Sequence, residues 1–505
     1  MRQNNILEWL EKQKDCNPKE IALGDINRDI PYYELWDSSR RVASSLLQFY
    51  GNIISVAIIM PKDISAVMAM YGVVYAGAFY SNIDLNLPKE RLNQIIQELN
   101  PSVIITYDEK VEELSSLVEE TYEITTIKEL LVSEVDDLLL EKVRRKHIDT
   151  DPLYCNFTSG STGIPKGVLI NHRSVIDFIS TFVETFSFYE DDIFANQAPL
   201  DFDVSVKDIY SAVAIGAKVQ LIPREYFSYP VKLMDYLSEK KVTILIWAVS
   251  AMCFVSTMKG FLYKIPDRVR YVMFSGEIMP MKHLRIWKEY LPEVQYVNLY
   301  GPTEITCNCT YHILHSSDFD KEIIPIGRPF HNEKVFLLNS QNVEVATAGE
   351  VGEICVGGTC LAVGYMNSLD NSSFVQNPIN KQYYERIYRT GDLGYWNEND
   401  ELVYCGRKDN QIKHMGHRIE LEEIERICEQ MESEKVIRSC CLYDSLKSKI
   451  FLFYHGEANE TDVKDWLVKK LPFFMLPNKI IKLLDFKLSK NGKIDRKYLK
   501  EEYMR

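Results

Sequence analysis

Residues 157–171 read FTSGSTGIPKGVLIN and form the most informative stretch of this chain. Its glycines allow backbone N–H groups to converge on an anion, and its serine and threonine hydroxyls add further donors. Lys166 adds a positive point charge of the kind that suits a polyphosphate. The GK[ST] ending of a Walker A loop is missing from the stretch. The sequence therefore predicts a phosphate-binding loop of another type, with a flexible solvent loop as the alternative.

The segments on both sides of this loop alternate between short apolar runs and helix-like patterns. NIISVAIIM at 52–60, PSVIITY at 101–107 and VTILIWA at 242–248 have the length and β-branched content of buried strands. Strands that alternate with helices are typical of parallel βαβ units. The sequence thus predicts an α/β fold with parallel-rich sheets. It also predicts a buried helix leading into a strand, rather than a membrane span, for the uncharged run at 64–83.

The composition is that of a folded protein that does not bind nucleic acid. The 505 residues are 46% apolar and 26% charged, which excludes intrinsic disorder. A net charge of −14 argues against nucleic acid as the main partner. Eleven cysteines without a CxxC pair favour free thiols in a reducing compartment. The N-terminus lacks the apolar core of a signal peptide, so we predict a cytoplasmic location without membrane insertion.

The length allows one large and one small domain. Glycines cluster and helical patterns fade between about 323 and 405, which predicts a β-rich subdomain. A charged, helix-prone tail with two or three strands follows it. We therefore predict a large N-terminal domain at 1–408 and a small, mobile α+β domain at 410–505, with a hinge at Asp409.

Four further segments accompany the loop, and their order matters more than any one of them. They are NLYGPTEIT at 298–306, YRTGDLGYW at 388–396, GRKDNQIKHMGHRIELEEIE at 406–425 and LSKNGKIDRK at 488–497. Together with the loop they resemble the motifs of the adenylate-forming superfamily, in that family's order. This superfamily includes acyl-CoA synthetases, luciferases and the adenylation domains of non-ribosomal peptide synthetases. The resemblance covers nearly the whole chain and implies ATP as a bound nucleotide.

The resemblance also implies a role for each nucleotide-binding residue. Tyr300 would stack on the adenine and Asn298 would bond to the edge of the ring. Thr303 would reach the α-phosphate, and Glu304 would hold Mg²⁺ as a hard oxygen ligand. The nucleotide-binding positions implied in this way are Thr158, Ser159, Gly160, Ser161, Thr162, Gly163, Lys166, Gly276, Asn298, Leu299, Tyr300, Gly301, Asp392 and Arg407.

Lys493 is the catalytic residue that the resemblance implies in the small domain. It lies in the KNGKIDR segment, where the family's lysine contacts both the substrate carboxylate and the α-phosphate. Such a cation would stabilise the negative charge that develops on attack. Without the other motifs, a lysine in an Asn-Gly turn would carry no such expectation. With Thr303 and Glu304, it completes the predicted catalytic set.

FDVSV at 202–206 resembles the motif of amino-acid-activating members of the superfamily, where the aspartate pairs with the substrate α-ammonium. Asp203 takes that position, and a carboxylate that faces a cation is a reasonable specificity device. The alternative is an aspartate that caps the following helix. The substrate pocket implied by the same alignment consists of Asp203, Val204, Lys207, Ile246, Met273, Ser275, Leu299, Cys307 and Asn308.

The run DFDVSVKDIYS looks most like stand-alone D-alanine–carrier protein ligases, which makes D-alanine a candidate substrate. Two residues depart from that pattern, since Ser275 stands where those ligases usually have cysteine and Lys207 where they often have methionine. Lys207 would attract an acidic or polar side chain, or point outward, or pair with a carboxylate such as Asp208. No Gly-Gly-x-Ser segment follows Lys493, so we expect a separate phosphopantetheine-bearing carrier protein.

Three hypotheses for function follow from these residues. The first is an amino acid:carrier protein ligase, which depends on Asp203 and the five motifs. The second is an acyl- or aryl-CoA ligase acting on a non-amino carboxylic acid, which would be insensitive to Asp203→Ala. The third is a catalytically idle nucleotide-binding protein. The combination of Lys166, Glu304, Asp392 and Lys493 argues against the third.

Overall fold

The protein is described by a computed structural model that divides into two compact units. The residues that the structure describes are 3–119, 121–159, 165–367, 372–431, 435–445, 447–488 and 494–504. The first unit consists of Met1–Asp84, Leu99–Asn156 and Gly167–Lys408. The second unit consists of Leu85–Glu98, Phe157–Lys166 and Asp409–Arg505. Rotation of a small domain about Asp409 stays a prediction.

Helices and strands alternate along the N-terminal third of the chain. In chain order, these elements are α1 (Leu7–Cys16), β1 (Ile21–Gly24), β2 (Asp29–Pro31), α2 (Tyr32–Tyr50), β3 (Ser55–Ile58), α3 (Ile64–Tyr75), β4 (Phe79–Asn82), α4 (Lys89–Leu99), β5 (Val103–Thr106), α5 (Val111–Leu117), β6 (Ile124–Thr126), α6 (Ile127–Val132), α7 (Asp137–Arg144) and β7 (Pro152–Thr158).

The same alternation continues through the middle of the chain. The elements there are β8 (Lys166–Asn171), α8 (His172–Phe186), β9 (Ile193–Asn196), α9 (Val204–Ile215), β10 (Lys218–Leu221), α10 (Pro230–Glu239), β11 (Ile244–Ala248), α11 (Val249–Thr257), α12 (Gly260–Tyr263), β12 (Tyr271–Ser275), α13 (Met281–Tyr290), β13 (Gln295–Tyr300), β14 (Thr310–Ile313) and β15 (Arg328–Pro329).

Strands dominate the last third of the chain until helices return in its final part. The elements there are β16 (Glu333–Leu338), β17 (Gly352–Gly358), β18 (Gly364–Tyr365), β19 (Phe374–Gln376), β20 (Arg386–Trp396), β21 (Leu402–Arg407), β22 (Gln411–His414), β23 (His417–Glu420), α14 (Leu421–Glu429), β24 (Arg438–Asp444), β25 (Lys449–His455), α15 (Glu460–Lys470), β26 (Lys479–Leu483) and α16 (Arg496–Tyr503). Short 3₁₀ helices lie at Asp108–Lys110, Arg224–Ser228, Thr303–Ile305, Ser316–Asp320 and Phe473–Met475.

A seven-stranded sheet has the order β18-β8-β7-β4-β3-β5-β6. β3 pairs in parallel with β4 and with β5, and every residue of these three strands is buried. Parallel strands that are covered on both faces need such continuous apolar sequences. The run at 64–83 forms α3 and β4, which confirms its interpretation as a buried helix followed by a strand. Asp63 caps α3 by accepting the Ala66 N–H at 2.9 Å.

A nine-stranded sheet has the order β15-β14-β13-β12-β11-β9-β10-β1-β2. Its central strands pair in parallel from β13 through to β1, and antiparallel strands close both edges. The carboxyl ends of β11, β12 and β13 therefore lie side by side. In open α/β sheets, ligands bind outside the carboxyl ends of the strands, so this edge is where a site is expected.

The remaining sheets are smaller. β16, β17, β19, β20 and β21 form a five-stranded antiparallel sheet within the stretch predicted to be β-rich. In the second unit, β24, β25 and β26 form a three-stranded sheet, and α14 and α15 contribute to a core that includes Ile424, Leu452 and Leu467. The predicted fold class is therefore confirmed: parallel-rich sheets with helices, a β-rich part, and an α+β C-terminal region.

All eleven cysteines are free thiols, and only Cys16 and Cys405 are exposed. Among the residues described, none of the helices combines the length and the hydropathy that a membrane span requires.

Candidate active site

Four of the predicted pocket residues lie on one face of the nine-stranded sheet. Ile246 on β11 stands opposite Met273 on β12, and Met273 stands opposite Val297 on β13. Because side chains alternate along a strand, Ser275 shares the face of Met273, and Leu299 shares the face of Val297. All four pocket side chains are buried. The strand register thus places Ile246, Met273, Ser275 and Leu299 on the same face of the sheet, and their role in a substrate pocket stays a prediction.

Gly276 follows directly after β12 and borders open space. Its φ of +95° is a conformation that favours glycine, and a Cβ built there would have no atom within 4 Å. A glycine at this point lets a ligand approach the backbone at the carboxyl end of β12. Gly301 is required for a different reason, since a Cβ there would lie 2.6 Å from the carbonyl oxygen of Cys307.

Asp203 immediately precedes α9, but its side chain does not cap that helix. The alternative interpretation of this residue as a helix cap is therefore not supported. The backbone of Asp203 is held on both sides of the residue. Its carbonyl accepts from Cys307 Sγ at 3.0 Å. Its N–H lies 2.8 Å from the Asn156 side-chain amide, whose oxygen accepts it when that amide is turned to satisfy both of its neighbours. The contact with Cys307 joins α9 to the segment that follows β13.

Lys207 lies one helical turn after Asp203 and is completely buried. Its Nζ donates to Asn308 Oδ1 at 2.5 Å, and Asn308 is itself a predicted pocket residue. Burial lowers the pKa of Lys207, while the nearby Cys307, Asp203 and Asp208 act in the opposite direction. The expectation that Lys207 could point outward is therefore wrong, because the whole side chain is buried within the first unit.

The turn between β13 and β14 brings these residues together. Thr306 and Cys307 both have left-handed backbone conformations, with φ values of 56° and 75°. Such conformations are unfavourable for residues other than glycine and concentrate at functional sites. Thr306 Oγ1 anchors the turn by donating to the Cys360 carbonyl at 2.7 Å. Burial raises the pKa of the Cys307 thiol well above its usual value, so this side chain is a neutral wall of the pocket.

Glu304 lies in the 3₁₀ helix Thr303–Ile305 and is 1% exposed. Its Oε1 accepts the Tyr365 hydroxyl at 2.7 Å. Thr303 beside it is half-buried. A buried carboxylate is costly unless it is hydrogen-bonded or coordinates a cation. Sequence reasoning missed Tyr365, because a tyrosine on the two-residue strand β18 has no local pattern.

The donor set around Glu304 fits Mg²⁺ bound together with phosphate. Mg²⁺ is usually held by one or two carboxylates and by substrate phosphates rather than by a cage of protein ligands. The described part of the chain contains no group of three or more His, Cys, Asp or Glu side chains that would hold a metal alone.

Asp392 connects two of the other predicted nucleotide-binding residues. Its Oδ2 accepts the Tyr300 hydroxyl at 2.6 Å, and its Oδ1 accepts Arg407 Nη1 at 2.6 Å. Asp392 is 2% exposed, so this ion pair is well shielded from water. Burial, with a contribution from the Asp392 charge, raises the pKa of Tyr300 well above its usual value. The phenol therefore remains a hydrogen-bond donor at all physiological pH values.

Asn298 is placed by the same strand as Tyr300. Its Nδ2 donates to the Pro325 carbonyl at 2.8 Å, which orients the side-chain amide. With Leu299 and Tyr300, it forms the carboxyl end of β13. The first unit therefore brings together Asn298, Tyr300, Asp392 and Arg407 on one side, and Asp203, Lys207, Cys307 and Asn308 on the other.

The ends of the phosphate loop belong to the second unit. Thr158 Oγ1 lies 3.5 Å from the Lys166 carbonyl, to which it donates. Ser159 Oγ donates to the Arg418 carbonyl at 2.7 Å. Four predicted loop residues, Gly160, Ser161, Thr162 and Gly163, lie outside the described residues, as does the predicted catalytic Lys493.

Lys62 is a second residue that sequence reasoning missed. Its Nζ donates to three consecutive carbonyls, those of Asn196, Gln197 and Ala198, at 3.0, 2.8 and 3.2 Å. These carbonyls belong to the segment that leads from β9 towards Asp203. Burial lowers the pKa of Lys62 to about 7. A lysine before a helix has no local sequence pattern that predicts such a contact, and its partners begin 134 residues further along the chain.

Comparison with known proteins establishes the class. Residues 10–366 match the family described as "AMP-binding enzyme". The chain therefore belongs to this family, within the adenylate-forming superfamily that its motifs resemble. Enzymes of this family use ATP.

The curated relatives are much longer than this chain. It is 30% identical to tyrocidine synthase 1 of Brevibacillus parabrevis over 506 residues, which cover 98% of this chain and 45% of the relative. It is 31% identical to bacitracin synthase 3 of Bacillus licheniformis over 507 residues, which cover 99% of this chain and 8% of the relative. The chain thus spans less than half the length of these relatives.

Solved structures share the fold at low sequence identity. The Vibrio cholerae adenylation domain AlmE, in complex with glycyl-adenosine-5′-phosphate, gives a TM-score of 0.85 at 21% identity and covers 99% of this chain and 98% of its own. Holo-PA1221, which contains adenylation and PCP domains, gives 0.84 at 22% identity, with 99% and 84% covered. A double mutant of o-succinylbenzoate CoA synthetase from Bacillus subtilis gives 0.84 at 19% identity, with 99% and 98% covered.

Proposed function

We propose that this enzyme activates an amino acid with ATP and transfers the aminoacyl group to the phosphopantetheine thiol of a separate carrier protein. In the first step, a carboxylate oxygen of the amino acid attacks the α-phosphorus of ATP. The bond between that phosphorus and the bridging oxygen breaks, and pyrophosphate leaves with the electron pair. In the second step, the carrier thiolate attacks the carbonyl carbon and AMP leaves, which forms a thioester. Both steps depend mainly on positioning and electrostatic stabilisation.

One observation carries the choice of an amino acid as substrate. Asp203 sits at the start of α9 beside the predicted pocket, and its side chain is not used to cap the helix. A carboxylate in that place suits the α-ammonium group of an amino acid, whereas a fatty or aryl acid offers no cation. AlmE was solved in complex with glycyl-adenosine-5′-phosphate, which supports the same substrate class.

The nucleotide side of the proposal uses the residues around Asp392. Its carboxylate is oriented by Tyr300 and Arg407, so it would accept hydrogen bonds from the ribose hydroxyls. Gly276 leaves room for the nucleotide beside the strand end. Glu304 would hold Mg²⁺, which would screen the charge of the phosphates when bound. Thr303 and the loop residues Thr158–Lys166 would donate to the phosphates, and Lys493 would bind the attacking carboxylate.

The acceptor of the aminoacyl group is proposed to be a carrier protein. Holo-PA1221 contains a PCP domain in addition to its adenylation domain, which supports a carrier protein as the acceptor. D-alanine is a candidate substrate from the likeness of the segment around Asp203. Lys207 and Ser275 are the two positions that depart from that likeness.

Amino-acid-dependent exchange of pyrophosphate into ATP tests the proposal. We expect exchange with at least one amino acid and a loss of about 100-fold or more in Asp203→Ala, because removing one partner of a buried charge pair is strongly destabilising. Asp191→Ala, at an exposed acidic residue, is the matched control. Absence of exchange with every common L- and D-amino acid, with ATP binding intact, would contradict the proposal.

A CoA ligase acting on a non-amino carboxylic acid is the second candidate, favoured by the fold it shares with o-succinylbenzoate CoA synthetase. It predicts AMP release that depends on free coenzyme A and is insensitive to Asp203→Ala. An assay with free coenzyme A and a panel of carboxylic acids, run in parallel with the exchange assay, separates the two candidates.

A further inference from the structure

Lys207 is a lysine that the fold encloses, and no anion among the described residues forms an ion pair with it. Its side chain is 0% exposed, and its hydrogen bond goes to the neutral amide of Asn308. An ammonium group has three N–H donors. Among the described residues, one of these donors has a hydrogen-bond acceptor and no carboxylate forms an ion pair with Lys207. A buried charge without such a partner is expensive to maintain.

The neighbouring carboxylates do not remove this cost. Asp208 is buried, and its Oδ2 accepts from Asn196 Nδ2 at 2.8 Å. Burial raises the pKa of Asp208 to about 7, so this group is partly protonated near neutral pH. Asp203 lies within electrostatic range of Lys207, but the proposed function assigns it to the substrate ammonium. Both aspartates act favourably on Lys207, but among the described residues neither forms an ion pair with its ammonium group, whose hydrogen bond goes to Asn308.

The spacing of Asp203 and Lys207 along α9 indicates what kind of substrate would place a negative charge beside Lys207. Residues four apart on a helix lie on the same face, about 6 Å apart along its axis. Asp203 and Lys207 have this spacing, with the negative group near the strand ends and the positive group one turn further along. An α-amino acid that carries a side-chain carboxylate has the complementary arrangement, a cation at one end and an anion two or three carbons away.

Asn308 and Ser275 make the surroundings of this position polar. Asn308 orients the Lys207 ammonium, and Ser275 presents a hydroxyl on the pocket face of β12. A pocket built for a small apolar side chain would not enclose a lysine and an asparagine that bind each other. We propose that the substrate is an acidic amino acid, of the aspartate or glutamate class, and that Lys207 and Asn308 recognise its side-chain carboxylate. This inference rests on the proposed function and names the substrate class of that same site.

Pyrophosphate exchange by the full chain tests the inference with matched substrates. The panel is L- and D-aspartate and glutamate, their amides asparagine and glutamine, and L- and D-alanine. We expect kcat/KM for one acidic amino acid to exceed that for its amide by at least about tenfold, because the amide leaves the Lys207 charge uncompensated. The amides are close in shape to the acids, so the comparison isolates charge.

Lys207→Met supplies the second measurement, and a thermal melt monitors its folding. We expect kcat/KM for the acidic substrate to fall by about tenfold or more in this variant, so that the amide or alanine becomes the preferred substrate. If Lys207 has only a structural role, its replacement by methionine should lower exchange with all amino acids alike. If the variant fails to fold, the substrate panel on the unaltered chain still decides whether the enzyme prefers an acidic amino acid.

The outcomes separate the two proposals. Equal or better exchange with D-alanine or another neutral amino acid would overturn the acidic-substrate inference and leave the proposed function standing. Absence of exchange with every amino acid would overturn the proposed function itself. Preference for an acidic amino acid that persists unchanged in Lys207→Met would refute the role of Lys207.

Discussion

At the scale of single residues, the clearest feature is that Asp392 is shared between Tyr300 and Arg407. The three residues come from β13, β20 and β21, and their contacts are all 2.6 Å long. A carboxylate that accepts from a buried phenol and a buried guanidinium has a fixed orientation. This orientation matters for the proposed nucleotide site, because a ribose presents its two hydroxyls side by side.

Tyr300→Phe tests whether that orientation affects ATP. The variant keeps the aromatic ring and removes one hydrogen bond to Asp392. We expect KM for ATP to rise by about three- to tenfold, since a single hydrogen bond contributes about 0.5–1.5 kcal/mol. The measurement is pyrophosphate exchange at varied ATP, with Tyr384→Phe at an exposed position as the control. An unchanged KM would show that the phenol does not act on the nucleotide through Asp392.

His172 carries a prediction about pH and stability. It is 1% exposed, its Nδ1 accepts the Ile6 N–H at 3.4 Å, and burial lowers its pKa to about 3. The unfolded chain binds this proton below about pH 6.5, whereas the folded chain resists it. The contribution of His172 to stability is therefore complete above about pH 6.5 and is lost as the pH falls towards 3.

His172→Gln should weaken this acid sensitivity. Between pH 6 and 4 we expect the free energy of unfolding to fall less steeply in the variant, by up to about 1.4 kcal/mol per pH unit. Urea unfolding at several pH values measures the slope, and His331→Gln at an exposed position is the control. Parallel slopes for the variant and the unaltered chain would contradict the assignment.

At the scale of elements, the segment between β9 and α9 depends on a contact from another part of the first unit. Lys62, which follows β3, donates to all three carbonyls at 196–198. Asn196 ends β9, and its carbonyl also accepts the Ile222 N–H at 3.1 Å. The backbone at Gln197 and Ala198 has left the strand ladder, and its carbonyls need partners when they are buried. The ammonium supplies them, so we infer that Lys62 positions the start of α9, including Asp203.

Lys62→Met should lower stability by about 1–3 kcal/mol, because several buried carbonyls lose a charged donor. It should also raise KM for the amino acid more than KM for ATP, since the displaced segment carries Asp203. Urea unfolding and exchange kinetics measure the two effects, and Lys62→Arg, which keeps a charged donor, should recover part of both. Equal changes in the two KM values would indicate a loss of fold rather than of positioning.

The sequence predicted the elements better than it predicted the contacts between them. Apolar runs bounded by helical patterns were sufficient for the parallel strands, because burial on both faces forces that composition. The motif order was sufficient to identify Tyr300, Glu304 and Asp392 as site candidates. The contacts of Tyr365 with Glu304 and of Lys62 with 196–198 span 61 and 134 or more residues, so no local pattern could reveal them.

Lys207 shows the same limit at one position. Its sequence neighbours allowed an outward side chain, a pair with Asp208, or a place in the pocket. The burial of α9 and the approach of Asn308 from the turn after β13 decide among these, and both are tertiary features.

At the scale of the whole molecule, one of the boundaries between the two units lies between Lys408 and Asp409. Lys493 belongs to the second unit by sequence and lies outside the described residues.

We expect Lys493→Ala to reduce adenylation by about 100-fold or more, because a cation beside the negative charge that develops on the phosphate stabilises the transition state strongly. The fold should remain intact, as judged by circular dichroism, and Lys497→Ala at an exposed lysine is the control. Normal adenylation by Lys493→Ala would refute its assignment.

Eight of the eleven thiols are buried and Cys253 is half-buried, which has a practical consequence for observing the enzyme at work. Cys16 lies on α1 and Cys405 on β21, close to the boundary at Lys408, and these two are open to solvent. Maleimide dyes should therefore attach to them alone under native conditions, without prior removal of the other nine. Replacing Cys16 with serine leaves a single fluorophore next to the proposed hinge, and its anisotropy would follow each catalytic cycle in real time.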